Sequence, residues 1–271
     1  MKTIDIMLPY WGEFSLLKQT IESVLVQTSN NWTLSIIDDH YPSLEAQDYC
    51  KKIDDKRVTY YRHRQNIGIT NNFNFSIEKA TAEYCMILGC DDILMPNYVE
   101  TALKNIKDND FYQPCVKIID SRGKTYLPLS DRVKRLLRPK KTGIYSGETL
   151  AVSLCHGNWL YFPSITWKTS TLKRYRLNPK YKIVEDVVLE LDIIKEGGKL
   201  FLDTATTFKY RRFANSLSSK EKAKGGVRFN EEDEVYETFA KIFKEQGWNK
   251  AARAARLHVT SRAHQFLSKL S

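Results

Sequence analysis

Short apolar runs alternate with amphipathic stretches through the first 119 residues of the chain. The runs Thr3–Leu8, Thr33–Asp38, Val58–Arg62, Tyr84–Leu88 and Phe111–Ile119 are rich in β-branched and aromatic residues and have the length of buried strands. Helices are predicted between them, near Ser15–Gln27, Leu44–Ile53, Asn71–Ala80 and Asn97–Lys107. In the first of these, Leu16, Leu17, Thr20, Ile21, Val24 and Leu25 recur at helical spacing and form one apolar stripe. Strand–helix–strand repetition predicts an α/β fold with a mostly parallel sheet flanked by helices, because parallel neighbours need a crossover and a helix supplies it. Ligands of such sheets bind at the carboxyl ends of the strands. The chemistry is therefore expected just after Leu8, Ile37, Arg62 and Leu88.

From Asp120 to about Lys141 the sequence turns basic and turn-rich, which reads as a long connecting loop. A helix is predicted near Gly147–Cys155, a strand at Phe162–Trp167 and a helix near Val187–Glu196, stopped by Gly197-Gly198. Two strand-like runs follow, Lys199–Asp203 and Thr206–Arg212, then a polar linker, Ser218–Gly226. The tail from Glu231 reads as two helices. This pattern predicts one domain over 1–225, divided near 119, and a basic helical tail over 226–271.

Composition narrows the class. The 271 residues are 42% hydrophobic and 27% charged, as in a globular protein. No apolar run approaches the roughly 20 residues of a membrane-spanning helix. The N-terminal apolar stretch is broken at Asp5 and Pro9 and reads as a strand, not a signal peptide. Five scattered cysteines without a CxxC pair argue against a disulfide framework or a zinc site, and fit a reducing cytoplasm. A formal charge of +10 implies an anionic partner: nucleic acid, phosphate groups or an acidic membrane face.

Acidic and aromatic groups stand at the expected strand ends. After the first strand, Pro9, Tyr10, Trp11 and Glu13 could grip a base and ribose by stacking and hydrogen bonding, or form a turn over core aromatics. Asp38-Asp39 follows the second strand, and two carboxylates there need partners. A pyrimidine N–H or a ribose hydroxyl is one option, and a helix N-cap beside a solvated Asp is the other. Asn66-Ile67-Gly68 supplies amides and a flexible backbone for a sugar or phosphate, or a plain loop. Asp91-Asp92 after the fourth strand suits a hard cation such as Mg²⁺ or Mn²⁺ with diphosphate oxygens, against the alternative of an N-cap before Pro96. Glu185-Asp186 reads as first-turn charge on a helix, or as a general base at Asp186 aimed at a hydroxyl. Trp159, with Tyr161 and Trp167, could line a sugar groove or pack in the core.

In order, these pieces resemble family 2 glycosyltransferases of the GT-A fold. Ser23-Val24-Leu25-Val26-Gln27-Thr28 matches the family element at the end of the first helix, and Asp38-Asp39, Asn66-Ile67-Gly68, Gly89-Cys90-Asp91-Asp92 with Pro96, Glu185-Asp186, Tyr210-Arg211 and Ser216-Leu217-Ser218 follow in register. Two departures stand out: Gly89 replaces the first Asp of the metal motif, and Phe213 stands where a His often follows. The resemblance implies an inverting transferase. Residues 1–119 would bind a UDP- or dTDP-sugar through Pro9, Tyr10, Glu13, Asp38, Asp39, Asn66, Gly68 and Asp91, with Mn²⁺ or Mg²⁺ on Asp91 and Asp92. Residues 120–225 would hold a glycan or lipid-linked glycan acceptor, in surface polysaccharide or glycolipid assembly. Asp186 would be the base, with Glu185, Arg211, Arg212 and Trp159 near the diphosphate or acceptor.

Two rivals are weighed against this. A sugar-1-phosphate nucleotidyltransferase needs a Gly-rich basic loop after the first strand, and Tyr10–Leu17 has one Gly and no Lys or Arg. A nucleic-acid-binding protein explains the charge but not the acidic strand ends, so no nucleic-acid partner is expected. The tail segment Trp248–Leu270 carries five Lys or Arg and no acid. It could hold a cytoplasmic enzyme peripherally on an anionic membrane surface, or dock on the catalytic domain with a solvated basic face.

Overall fold

The computed structural model describes residues 2–212 and 227–268. Its elements are β1 (Ile4–Tyr10), α1 (Phe14–Leu25), β2 (Trp32–Asp38), α2 (Glu45–Cys50), β3 (Val58–Arg62), α3 (Ile69–Lys79), β4 (Tyr84–Ile87), β5 (Ile93–Leu94), α4 (Tyr98–Ile106) and β6 (Phe111–Ile119). Then come α5 (Leu129–Leu137), β7 (Gly143–Ser146), α6 (Gly147–His156), a 3₁₀ turn (Phe162–Ser164), β8 (Thr166–Lys168), α7 (Thr169–Tyr175), α8 (Glu185–Lys195) and β9 (Lys199–Arg211). The tail forms α9 (Val227–Glu245), α10 (Asn249–Leu257) and α11 (Val259–Ser268).

The strands form one sheet in the order β3-β2-β1-β4-β8-β6-β9-β5, with β7 on β9. β3, β2, β1 and β4 run parallel, while β8 is antiparallel to both β4 and β6. All seven positions of β1 are buried, as expected of a central strand covered on both faces. Alternate β1 side chains enter different cores: Ile4, Ile6 and Leu8 pack with Leu17, Ile21 and Val24 of α1, and Met7 packs in the cluster of α6 and α8. Asp5, the one charge in that strand, accepts from Thr33 Oγ1 at 2.6 Å and from the N–H groups of Thr81 and Ala82 at 2.6 and 2.7 Å. A buried carboxylate is tolerated there because its lone pairs are matched.

The second half departs from expectation in four places. The stretch from Asp120 to Lys141 holds the helix α5, whose density of charge hides it from an apolar-stripe search. Phe162–Trp167 is a 3₁₀ turn through Pro163 followed by a three-residue strand, because proline cannot donate to the ladder. The runs Lys199–Asp203 and Thr206–Arg212 merge, up to Arg211, into one continuous strand, β9, which pairs with β6 through register shifts on either side of Cys115. The tail forms three helices, not two. Val235, Tyr236, Phe239 and Phe243 of α9 and Ala251, Ala254 and Ala255 of α10 are buried in the same core as α6 and α8, so the tail's apolar face is spent on protein. The linker Ser218–Gly226, Phe213 and Ser216-Leu217-Ser218 lie outside the described residues.

Candidate active site

The carboxyl ends of β1, β2 and β4 converge on one edge of the sheet. Pro9 and Tyr10 are buried within β1, and the Tyr10 hydroxyl donates to the Gly12 carbonyl at 2.8 Å. Its ring packs on Tyr41 at 5.3 Å and offers no face to a base, which corrects the stacking role expected of it. Trp11 is the open aromatic here, 49% exposed and edge-on to Tyr41. Glu13 is exposed just before α1.

At the end of β2 the adjacent acids divide their work. Asp38 is fully buried, ion-paired to Arg62 at 2.6 Å, hydrogen-bonded by the Tyr60 hydroxyl, and accepts the Tyr41 N–H at 2.7 Å. It braces the wall, fully buried with both oxygens accepting from within the fold, and the nucleotide contact expected of it is corrected accordingly. Asp39 accepts the N–H of Ile67 at 2.7 Å and of Gly68 at 3.0 Å, while Asn66 Nδ2 donates to its carbonyl at 3.1 Å. Gly68 has φ +85°, a left-handed conformation that glycine adopts without a Cβ penalty. Asp39 thus ties down the Asn66–Gly68 loop and keeps one lone pair per oxygen for a further donor.

Beyond β4, Asp92 is buried and its Oδ1 accepts the Arg211 N–H at 2.8 Å. A Cβ on Gly89 would stand 2.5 Å from Asp92 Oδ2, so the glycine at the first motif position makes room for the second acid's carboxylate. Burial, then the neighbouring Asp91 charge, pushes Asp92 well above the usual carboxylate range. It supports the turn and does not face outward, which corrects its expected place as a metal ligand. Arg211 is likewise buried: Nε donates to the Asp91 carbonyl at 2.7 Å, Nη1 to the Asp120 and Ser121 carbonyls at 3.1 Å, and Nη2 to Gln19 Oε1 at 2.9 Å. This guanidinium clamps the Asp91 turn and is not free for a diphosphate, contrary to the sequence expectation. The Asp91 carboxylate itself receives no side-chain hydrogen bond among the described residues, and burial pushes it up to about 6.

A second set of ionisable groups comes from α5 and α8, joined electrostatically to the first through Arg212. Glu185 and Asp186 open α8 from inside its first turn. Thr70 Oγ1 donates to Glu185 Oε2 at 2.9 Å, and burial raises Glu185 to about 7. Asp186 accepts the next N–H, Val187, at 2.8 Å, with no hydrogen bond from another element among the described residues, and burial raises it against the pull of Lys134. Sequence reasoning took the Arg132–Lys141 stretch as a loop of basic side chains for a diphosphate, and so missed Asp131 and the inward placement of Lys134, both on α5. Asp131 pairs with Arg212 at 2.9 Å and accepts from the Tyr161 hydroxyl at 2.7 Å. Lys134 Nζ donates to the Leu160 carbonyl at 2.7 Å and lies 4.4 Å over the Tyr161 ring. Burial, then Arg212, lowers Lys134 to about 8, while Asp186, Glu190 and Asp131 oppose that shift. The signal for them was the i, i+3 spacing of Asp131 and Lys134, visible only once that stretch is recognised as a helix. Trp159 is 1% exposed with its Nε1 on Ser153 Oγ at 3.0 Å, a core residue and not a groove lining.

A divalent cation is compatible with this donor set. Among the described residues no three His, Cys, Asp or Glu cluster as a complete metal cage. Among the described residues Asp91 offers a carboxylate with no salt-bridge partner, although the Arg211 charge lies near it, which suits an ion that completes its shell with phosphate oxygens and water.

The chain matches Glycosyl transferase family 2 over residues 5–169. It is similar to an uncharacterized glycosyltransferase of Rickettsia bellii, 32% identical over 125 residues, 45% of this chain and 18% of that protein. It is also similar to the putative colanic acid biosynthesis glycosyl transferase WcaA of Escherichia coli, 35% identical over 101 residues, covering 37% of this chain and 36% of that one. The chain thus spans well under half the length of these curated relatives. Its fold is that of Staphylococcus aureus TarS 1-349 in complex with UDP-GlcNAc, with TM-score 0.74 and 14% identity over 99% of this chain and 76% of that one. The mannosyltransferase PcManGT of Pyrobaculum calidifontis, in complex with GDP-Man and Mn²⁺, superposes with TM-score 0.68 and 11% identity over 98% and 73%. The fold is of the GT-A type, and with more than half of its length matched the chain belongs to glycosyl transferase family 2.

Proposed function

We propose that this protein is an inverting glycosyltransferase that moves a sugar from a UDP-sugar, or secondarily a dTDP-sugar, onto an acceptor hydroxyl. One observation carries the reading. Of the acids around the cleft, Asp38, Asp39, Asp92, Asp131, Glu185 and Glu190 each accept a hydrogen bond from another part of the fold. Asp91 and Asp186 do not, among the described residues. Two half-buried carboxylates left open, one after β4 and one at the start of α8, fit a phosphate-side cation ligand and an acceptor-side base.

In this reading Asp39 accepts from the pyrimidine N3–H while its loop, from Asn66 to Gly68, borders the ribose. Asp91 would hold Mn²⁺ or Mg²⁺, which when bound supplies positive charge to the departing diphosphate. The acceptor oxygen bonds to the anomeric carbon as its proton passes to Asp186. The anomeric C–O bond to phosphate breaks with its electron pair leaving on the diphosphate. The elevated proton affinity of Asp186 makes it a better base than a solvated Asp. Arg212, fixed by Asp131 and stacked over Tyr210 at 5.1 Å, is the remaining candidate to face the diphosphate. The colanic acid relative favours a surface glycan or a lipid-linked glycan as acceptor.

The test is release of nucleoside diphosphate from a panel of nucleotide-sugars with Mn²⁺ present. Turnover with a UDP- or dTDP-sugar supports the reading. Turnover confined to purine-nucleotide sugars would sink the pyrimidine assignment.

A further inference from the structure

The outer side of α5 is unusual. Leu129 and Leu136 are 72% and 77% exposed, and at a spacing of seven they share one face of the helix. The inner side is anchored through the Asp131–Arg212 pair and the bond from Lys134 to Leu160, so the helix cannot turn its leucines inward without breaking both. Tyr126 and Leu127, in the approach to the helix, are 40% and 36% exposed. Arg122, Lys124, Arg132, Arg135, Lys140 and Lys141 stand exposed along the same segment. The only acid between Ser121 and Lys141 is Asp131, and it is buried.

We propose that α5 docks the protein on an anionic lipid surface, with Leu129 and Leu136 entering the acyl boundary and the flanking cations on lipid phosphates. Exposed leucines on a short cationic helix gain from an interface that offers both apolar depth and negative charge. A nucleic acid would satisfy the cations but leave the leucines in water. The tail is the weaker candidate, because α10 spends Ala251, Ala252, Ala254 and Ala255 on the protein core. Since the inner face of α5 carries Lys134 toward Asp186, docking would bring the membrane plane beside the acceptor wall. The proposal stands apart from the reaction assigned above, and its test does not read turnover.

Full-length protein is co-sedimented with phosphatidylcholine vesicles, and with vesicles containing phosphatidylglycerol, at low and high salt. Binding is expected to the anionic vesicles alone and to weaken with salt. Leu129→Gln with Leu136→Gln should lower partitioning by roughly tenfold or more with the melting curve and far-UV dichroism unchanged. Arg132→Gln with Arg135→Gln should lower it by about fivefold per residue. The proposal is overturned if anionic vesicles are ignored at low salt, or if the leucine pair variant binds like wild type. It is overturned equally if Arg253→Gln with Arg256→Gln abolishes binding, or if an oligonucleotide binds the protein in preference to the vesicles.

Discussion

Thr70 Oγ1 donates a 2.9 Å hydrogen bond to Glu185 Oε2, joining the helix that follows the Gly68 turn to the first turn of α8 across 115 positions of chain. The contact links the loop held by Asp39 to the segment that carries Asp186. The Asp39 loop and the first turn of α8 are therefore one hydrogen-bonded unit.

The acid in that link has a pH signature, set by its burial and opposed by the Thr70 hydrogen bond. Glu185 titrates at about 7 in the fold against an ordinary 4.5, so the folded state binds its proton more tightly than the unfolded chain does. Its contribution to stability is full below pH 4.5 and is lost as pH rises through 7, by an amount on the order of 3 kcal/mol. Glu185→Gln should remove this slope, so urea midpoints of wild type should fall relative to the variant across that window and run parallel above it. Parallel profiles throughout would show that Glu185 is not buried as described.

Asp39→Ala leaves the N–H groups of Ile67 and Gly68 without their acceptor. A loss of about 1–3 kcal/mol in stability is expected, with weaker UDP binding by calorimetry. Mn²⁺ affinity should not change, since Asp91 lies on another strand end. Unaltered UDP affinity would remove Asp39 from the nucleotide site.

The first half of this architecture was legible because its strands are central and its helices long. The run in β1 is uniformly apolar since both faces are covered, and the α1 stripe repeats at helical spacing. In α5 the rule inverts: Leu129 and Leu136 point outward and Asp131 and Lys134 point inward, so a search for a buried apolar stripe finds little. β5 and β7 are too short, at two and four residues, to carry a period. Candidate site positions were visible as acids at strand ends, but their partners were not. That Arg211 is consumed by the carbonyls of Asp91, Asp120 and Ser121 depends on contacts some 90 to 120 positions apart.

Arg211→Met therefore separates two roles. A residue that touches the diphosphate would be replaced with a normal melting temperature and a raised KM. The clamp described here predicts a loss of about 2–4 kcal/mol, because the three carbonyls and Gln19 lose a shared buried donor. Wild-type stability in this variant would return Arg211 to the substrate.

For the cation, Asp91→Asn keeps size and the clamp from Arg211 but removes the charge. Turnover should fall by about 10³-fold or more, and EDTA should silence wild type, with Asn leaving UDP-independent stability unchanged. Full activity in EDTA would take the metal out of the reaction.

Asp186 carries the central claim, and Asp186→Asn tests it most directly, since the amide keeps the shape and cannot take the acceptor proton. With a turned-over nucleotide-sugar in hand, kcat is measured for both proteins alongside donor affinity by calorimetry. The account predicts a fall in kcat of about 10²–10⁴-fold with donor affinity within about threefold of wild type. A kcat reduced less than about tenfold would contradict it and place the base elsewhere.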